Sequence, residues 1–180
     1  ALNGTDNIII SAVVGVLWVG RLSNYTLICD SVTSVLCQIT AAITGSLGNF
    51  FATEDKHAGY ALFKKVEFLN FWLYGFSFIA LVTLLDPFVQ IWAGERFVLG
   101  LPISIAIAIN FFVAGYMNTL WVFRSTIGLF KQGKYRPILV AILNIILSIF
   151  LGKLWGVFGV LFATFLSRAA ISLWYDPLIL

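Results

Sequence analysis

Few side chains in this chain could do covalent or acid–base chemistry. Of 180 residues, eight are Asp or Glu, eleven are Lys or Arg, and one is His. His57 stands in the charged stretch "TEDKHAG", so neither a histidine-based metal cluster nor a serine–histidine pair inside an apolar segment can be assembled. Glu54 and Asp55 are the one adjacent acidic pair, and Lys56 follows them directly; this is the pattern of a solvated loop. No paired-carboxylate motif for a metal–diphosphate and no phosphate-cradling P-loop occurs. Cys29 and Cys37 are eight positions apart on one expected helix, about 12 Å along its axis. That is beyond disulfide reach, and both read as small buried apolar residues. "NGT" and "NYT" match the glycosylation sequon, but their place at a membrane edge argues against its use. No catalytic residue, metal, cofactor or nucleic-acid partner is expected.

What remains is a set of polar groups embedded in apolar sequence: Asp6, Asn7, Asn24, Tyr25, Asp30, Arg124 and Arg168. Their chemistry is binding. Asp6 and Asn7, in "GTDNIIIS", can take sugar hydroxyls, pair with an arginine or carry a coupling proton; a helix cap at "TDN" is the structural alternative. Asn24 and Tyr25 belong to "GRLSNY", a polar junction between two expected helices. Asp30 comes one and a half turns into the second expected helix, with Ser31, Thr33, Ser34, Gln38, Thr40 and Thr44 beyond it, the most polar helix of the set. Such residues line a pathway or glue helices together. The guanidinium of Arg168 either faces an inner cavity, where it suits a phosphate, or snorkels to the interface. Arg124 has the same two options. Asn110 and Asn144 read as interhelical hydrogen bonds.

The elements that must position these groups follow from composition. Hydrophobic residues make up 61% of the chain and charged ones 11%, and mean hydropathy is +0.99. A soluble domain carries about 25% charged residues, so this is an integral membrane protein. Stretches such as "PILVAILNIILSIFLG" are apolar on every side, which excludes the alternation of a transmembrane barrel. A crossing helix needs roughly 20 apolar residues. The gaps between charges give an all-α polytopic bundle of about six transmembrane helices in a single unit spanning 1–180. They are expected near 1–21, 25–48, 67–90, 98–122, 137–152 and 155–175, the first incomplete and no signal peptide preceding it. "LGKLWGVFG" is expected to form a tight outer hairpin on Gly152, Gly156 and Gly159.

Asp6, fifteen positions before Arg21, then lies roughly 20 Å inside the bilayer. The loops near 49–67 and 123–136 hold Lys56, Lys64, Lys65, Arg124, Lys131, Lys134 and Arg136, against Arg21, Arg96 and Lys153 opposite. By the positive-inside rule they are cytoplasmic, and so is the C-terminus. Trp18, Trp72, Trp92, Trp121, Trp155, Trp174 and Tyr175 fall near expected helix ends, as interfacial anchors do.

Taken in order, "TDNIIIS", "VGRLSNYTLI", "SLGNFFA", "DPFVQIWAGERFVL", "GLFKQGKYRP", "LNIILSIFL" and "WGVFGVLFATFLSR" resemble the C-terminal half of a bacterial polysaccharide flippase. These are the Wzx-like oligosaccharide exporters of the multidrug/oligosaccharidyl-lipid/polysaccharide exporter superfamily. The resemblance covers nearly the whole chain. It departs at Leu22, where the family pattern tends to an aromatic, and at Arg21. It implies one half of a two-bundle transporter that rocks between inward- and outward-open states, the N-terminal half lying in a missing segment or a partner. The implied cargo is a polyprenyl-diphosphate-linked oligosaccharide, flipped across the cytoplasmic membrane for surface polysaccharide biosynthesis, with coupling to H+ or Na+ open. The implied binding residues are Asp6, Asn7, Asn24, Tyr25, Asp30, Arg124 and Arg168. The competing readings are a multidrug or cation exporter of the same superfamily, a membrane-embedded transferase, and a structural subunit.

Overall fold

The computed structural model describes residues 4–44, 56–126 and 136–175, and every element among them is helical. In chain order these are α1 (Gly4–Val13), α2 (Val16–Thr44), α3 (Lys56–Trp92), a 3-10 turn (Glu95–Phe97), α4 (Leu101–Thr126) and α5 (Arg136–Tyr175). Among the described residues, Gly59–Trp92 of α3, Leu101–Asn118 of α4 and Pro137–Ile171 of α5 are long and apolar enough to cross a membrane. The protein is therefore an all-α membrane bundle. With 29 residues α2 has the length to cross, yet its polar content leaves it outside that set. The ten described residues of α1 are fewer than a span needs.

α5 doubles back on itself. Asn144 donates to Thr164 Oγ1 at 3.0 Å although twenty positions separate them, whereas a straight helix would hold them about 30 Å apart. The reversal occurs at Gly156, with φ 60° and ψ −137°, a conformation glycine takes cheaply. A Cβ on Gly159 would run into the Leu151 carbonyl, and one on Gly152 would meet Val160 Cγ2 at 2.9 Å. The hairpin expected over 151–159 is thus present, with one glycine turning and two permitting close contact.

Other boundaries differ from expectation. The first two helices part at Val14–Gly15 and not at Arg21–Tyr25. Gly15 takes φ 124°, and the Val14 and Gly15 N–H groups both close on the Ile10 carbonyl at 2.9 Å. "GRLSNY" is consequently helix, inside α2. Asp6 stands eight positions from Val14, about 12 Å along α1, and the straight helix to Arg21 on which the 20 Å distance rested is not formed. α3 starts at Lys56 and not near residue 67, which places Trp72 well inside the helix. α4 runs 101–126 where 98–122 was expected. Glu54, Asp55, Lys131 and Lys134 lie outside the described residues.

The bundle is built around α4. Half of its apolar span is buried, 50% against 22% for α3 and for α5, and it packs on α2, α3 and α5. In hydrocarbon no hydrophobic force drives helices together, so close packing and interhelical hydrogen bonds must hold them. The interior accordingly holds Asp6, Thr40, Asn70, Ser104, Asn110, Asn144, Ser148, Thr164 and Ser167, while Phe76, Ile79, Ile91, Ile146 and Phe150 face outward. Asn110 Nδ2 donates across helices to the Leu161 carbonyl at 2.8 Å, the interhelical role read for both asparagines. Asn70 Nδ2 reaches the Gly115 carbonyl at 3.2 Å, and Thr40 Oγ1 reaches Asn70 Oδ1 at 3.5 Å.

Gly115 is also where the Tyr74 ring lies on α4; a Cβ there would overlap the ring. Gly115→Ala should therefore cost about 1–3 kcal/mol through overpacking. Gly20→Ala, with nothing within 4 Å, should be neutral or stabilising by up to about 1 kcal/mol. Thermal unfolding of the detergent-solubilised protein measures both; equal melting temperatures would mean that α3 and α4 do not close on Gly115.

Candidate functional site

Three groupings of polar side chains organise the bundle. The first is a stripe on α2. Ser23, Asp30, Ser31, Ser34 and Gln38 are all exposed, and their spacing sets them on one side of the helix, with Leu27 exposed among them and Val35 and Ile39 exposed beside them. Asn24 flanks the stripe, half-buried. The opposite side of α2, carrying Leu22, Tyr25, Cys29, Leu36 and Thr40, is buried in the bundle. Asn7 and Thr5 on α1 are exposed as well. The first arm of α5 presents the contrast: its exposed positions from 137 to 150 are Pro137, Ile138, Leu139, Ala141, Ile142, Ile145, Ile146, Ile149 and Phe150. That surface suits lipid, whereas the α2 stripe does not.

The second grouping centres on Asp6, which is fully buried. Its Oδ1 lies 3.1 Å from Thr164 Oγ1 on the second arm of α5. The Thr164 oxygen accepts from Asn144 Nδ2 at 3.0 Å and also lies 3.1 Å from the Val160 carbonyl. Arg168 follows Thr164 by one turn, on the same side of the arm. The chain Asp6–Thr164–Asn144 thus joins α1 to both arms of α5, with the Arg168 cation one turn further along the second arm. Thr164 was not foreseen as part of this group; the signal was its i,i+4 relation to Arg168.

The third grouping was not anticipated. Asp86 Oδ1 accepts from Tyr25 Oη of α2 at 2.6 Å and from Ser104 Oγ of α4 at 2.6 Å. Tyr25 Oη in turn accepts the Leu99 N–H at 3.0 Å. One carboxylate of α3 therefore ties the ends of α2 and α4. In the sequence Asp86 fell inside the helix expected over 67–90 and was given no role; α3 continues to Trp92.

Of the seven candidates, the structure puts Asp6 on Thr164, one turn before Arg168, and Tyr25 on Asp86. It places Asp30 and Asn24 on or beside the exposed stripe, and turns Asn7 outward. Asp6 and Asn7 therefore face different surroundings. Arg124 lies in the last turn of α4, with its side chain outside the described residues. An apolar groove of about 300 Å³ between α2 and α3, lined by Ile28, Val32, Phe76, Leu84 and Phe88 among others, contains none of the seven. Among the described residues no group of three or more His, Cys, Asp or Glu is placed to hold a metal. No family model matches the chain, and comparisons with curated proteins and with solved structures returned no match.

Removing one partner of a buried charge pair leaves the other uncompensated, at about 3–5 kcal/mol for full burial. Arg168 is only half-buried, so Asp6→Asn should cost about 2–3 kcal/mol, discounted for that exposure. Asp6→Asn with Arg168→Gln should recover part of the loss. A double-mutant cycle on thermal unfolding should give a coupling of at least about 1 kcal/mol; strict additivity would mean that the two charges do not support each other.

Proposed function

We propose that this bundle is one half of a transporter that moves a polyprenyl-diphosphate-linked oligosaccharide across the cytoplasmic membrane, with the α2 stripe facing the pathway. The observation that carries the reading is the exposed line Ser23, Asp30, Ser31, Ser34 and Gln38 on a helix whose neighbours present hydrocarbon. Polar side chains on the rim of a membrane bundle need water, a ligand or further protein against them. A hydroxyl- and amide-rich surface hydrogen-bonds sugars, and a second bundle across from it would close a cavity of the alternating-access kind. The ordered resemblance of seven segments to polysaccharide flippases supports the same reading.

On this reading Asp6 and Arg168 are the internal tie of the half-transporter, Arg124 stands where a diphosphate enters, and the ends at Thr44, Lys56, Thr126 and Arg136 are cytoplasmic. Transport, not catalysis, is the activity. Asp30 on the stripe favours a second reading, export of an organic cation, because a carboxylate attracts one.

Single cysteines in a background free of Cys29 and Cys37 test this in membranes of cells making the full transporter. Ser34→Cys and Gln38→Cys should react with a membrane-impermeant thiol reagent from one side, and a lipid-diphosphate-linked oligosaccharide should protect them. Ile145→Cys and Ile149→Cys should stay inert. Protection by organic cations instead would favour the drug exporter. Inert cysteines at 34 and 38 would remove the pathway altogether.

A further inference from the structure

Two carboxylates are drawn into the bundle, and their surroundings differ in charge. Asp6 bonds Thr164, and the Arg168 cation stands one turn further along the same arm. Asp86 meets the neutral hydroxyls of Tyr25 and Ser104, and among the described residues no lysine or arginine pairs with it. Of the neighbouring charges on the 3-10 turn, Arg96 stacks over Phe97 at 4.8 Å and Glu95 is exposed. The titratable group that faces Asp86 from α2 is Tyr25; α4 contributes the Ser104 hydroxyl, and the segment leading into α4 sends the Leu99 N–H to Tyr25. Inside a low-dielectric bundle a carboxylate without a cation is the group that gains most from acquiring one. Asp86 is half-buried, so a small ion can reach it.

Its position makes such binding mechanical. Both hydroxyl bonds fall on Oδ1, and hydrogen bonds to an ionised acceptor are roughly twice as strong as neutral ones. They fasten α2 and α4 to α3 one residue before Pro87, the proline inside α3. Proline cannot donate to the carbonyl four residues back, here that of Thr83, and helices bend at such points. α3 thus has a fastening beside the point where its own hydrogen-bond ladder is interrupted. The stripe proposed to face the pathway belongs to α2, the helix that Tyr25 fastens.

We propose that Asp86, Tyr25 and Ser104 form a cation-released latch: a proton or a sodium ion arriving at Asp86 neutralises it, loosens both hydroxyl bonds and frees α2 and α4 to move against α3 about Pro87. As the coupling step of a transporter the latch rests on the transport reading above, and it moves the coupling site from Asp6, which already has a counter-charge, to Asp86.

The test uses the full transporter in membranes with Ser34→Cys as reporter in the background free of Cys29 and Cys37. The rate of labelling by an impermeant thiol reagent, divided by that reagent's rate with free cysteine under the same conditions so that thiol ionisation cancels, is followed with sodium replaced by choline at fixed pH, and then against pH at fixed sodium. With Asp86 intact the rate should change about fivefold or more, within the ordinary range of coupling between sites. A response to sodium alone identifies the sodium ion, and a response to pH alone the proton. Asp86→Asn should abolish both responses.

Tyr25→Phe and Ser104→Ala keep the carboxylate and carry the test if Asp86→Asn fails to fold. Each should move the cation-free rate toward the cation-bound one while leaving a response. A full response in Asp86→Asn, or none with Asp86 intact, overturns the latch. Cation-dependent labelling that no lipid-linked sugar protects keeps the latch and removes the cargo. Sugar protection without cation dependence keeps the cargo and removes the latch.

Discussion

A carboxylate that leaves water must meet a donor or a cation, and in hydrocarbon it cannot wait for solvent to supply one. Much of this bundle follows from how that demand is met. Asp6 draws the short α1 onto α5 by way of Thr164. Asp86 draws α2 and α4 onto α3 by way of two hydroxyls. Ordinary interhelical hydrogen bonds are worth only about 0.6 kcal/mol on average within a membrane. Packing contacts alone do not choose partners sharply when the lipid is as apolar as leucine. Charged and strongly hydrogen-bonded groups, with fewer acceptable neighbours, set which helix lies against which.

Small residues then decide how close the helices come. Gly115 accepts the face of Tyr74, and Gly159 accepts the Leu151 backbone. At these points a methyl group has no place, so the contact is set by steric exclusion and not by attraction. Gly15 and Gly156 act differently, through positive φ. One separates α1 from α2 and the other folds α5 into two arms. Val14 Cγ1 lies 3.9 Å from where a Cβ would stand on Gly156, and Val13 Cγ1 lies 3.8 Å from the equivalent point on Gly152. The two turns therefore sit together at one end of the bundle.

The consequence for function is a division of labour among polar residues that look alike in the sequence. Asp6, Asn70, Asn110, Asn144 and Thr164 are buried among helices and hold the bundle together. Ser23, Asp30, Ser34 and Gln38 look outward, where they meet whatever lies beyond this half. Tyr25, one turn before Cys29 on the buried side, belongs to the first kind although it stands next to Asn24. Neighbouring positions on a helix differ by about 100° in direction, so adjacency in sequence does not mean adjacency in role.

By itself the sequence determined the solvent, the helical class and the hairpin at 151–159, because these depend on composition and on a dense local run of glycine. It also marked Asn110 and Asn144 as interhelical, since a lone amide in an apolar helix must find a partner nearby. The break at Gly15 was not legible: one glycine amid Val and Leu leaves hydropathy unchanged, and its effect lies in a dihedral angle. Asp86 lay inside the helix expected over 67–90 without a role, because its two hydroxyl donors come from positions 61 and 18 residues away along the chain. Which polar groups face inward, which outward, and which carboxylate has a counter-charge were decided by tertiary structure alone, because each depends on the rotation of one helix against its neighbours.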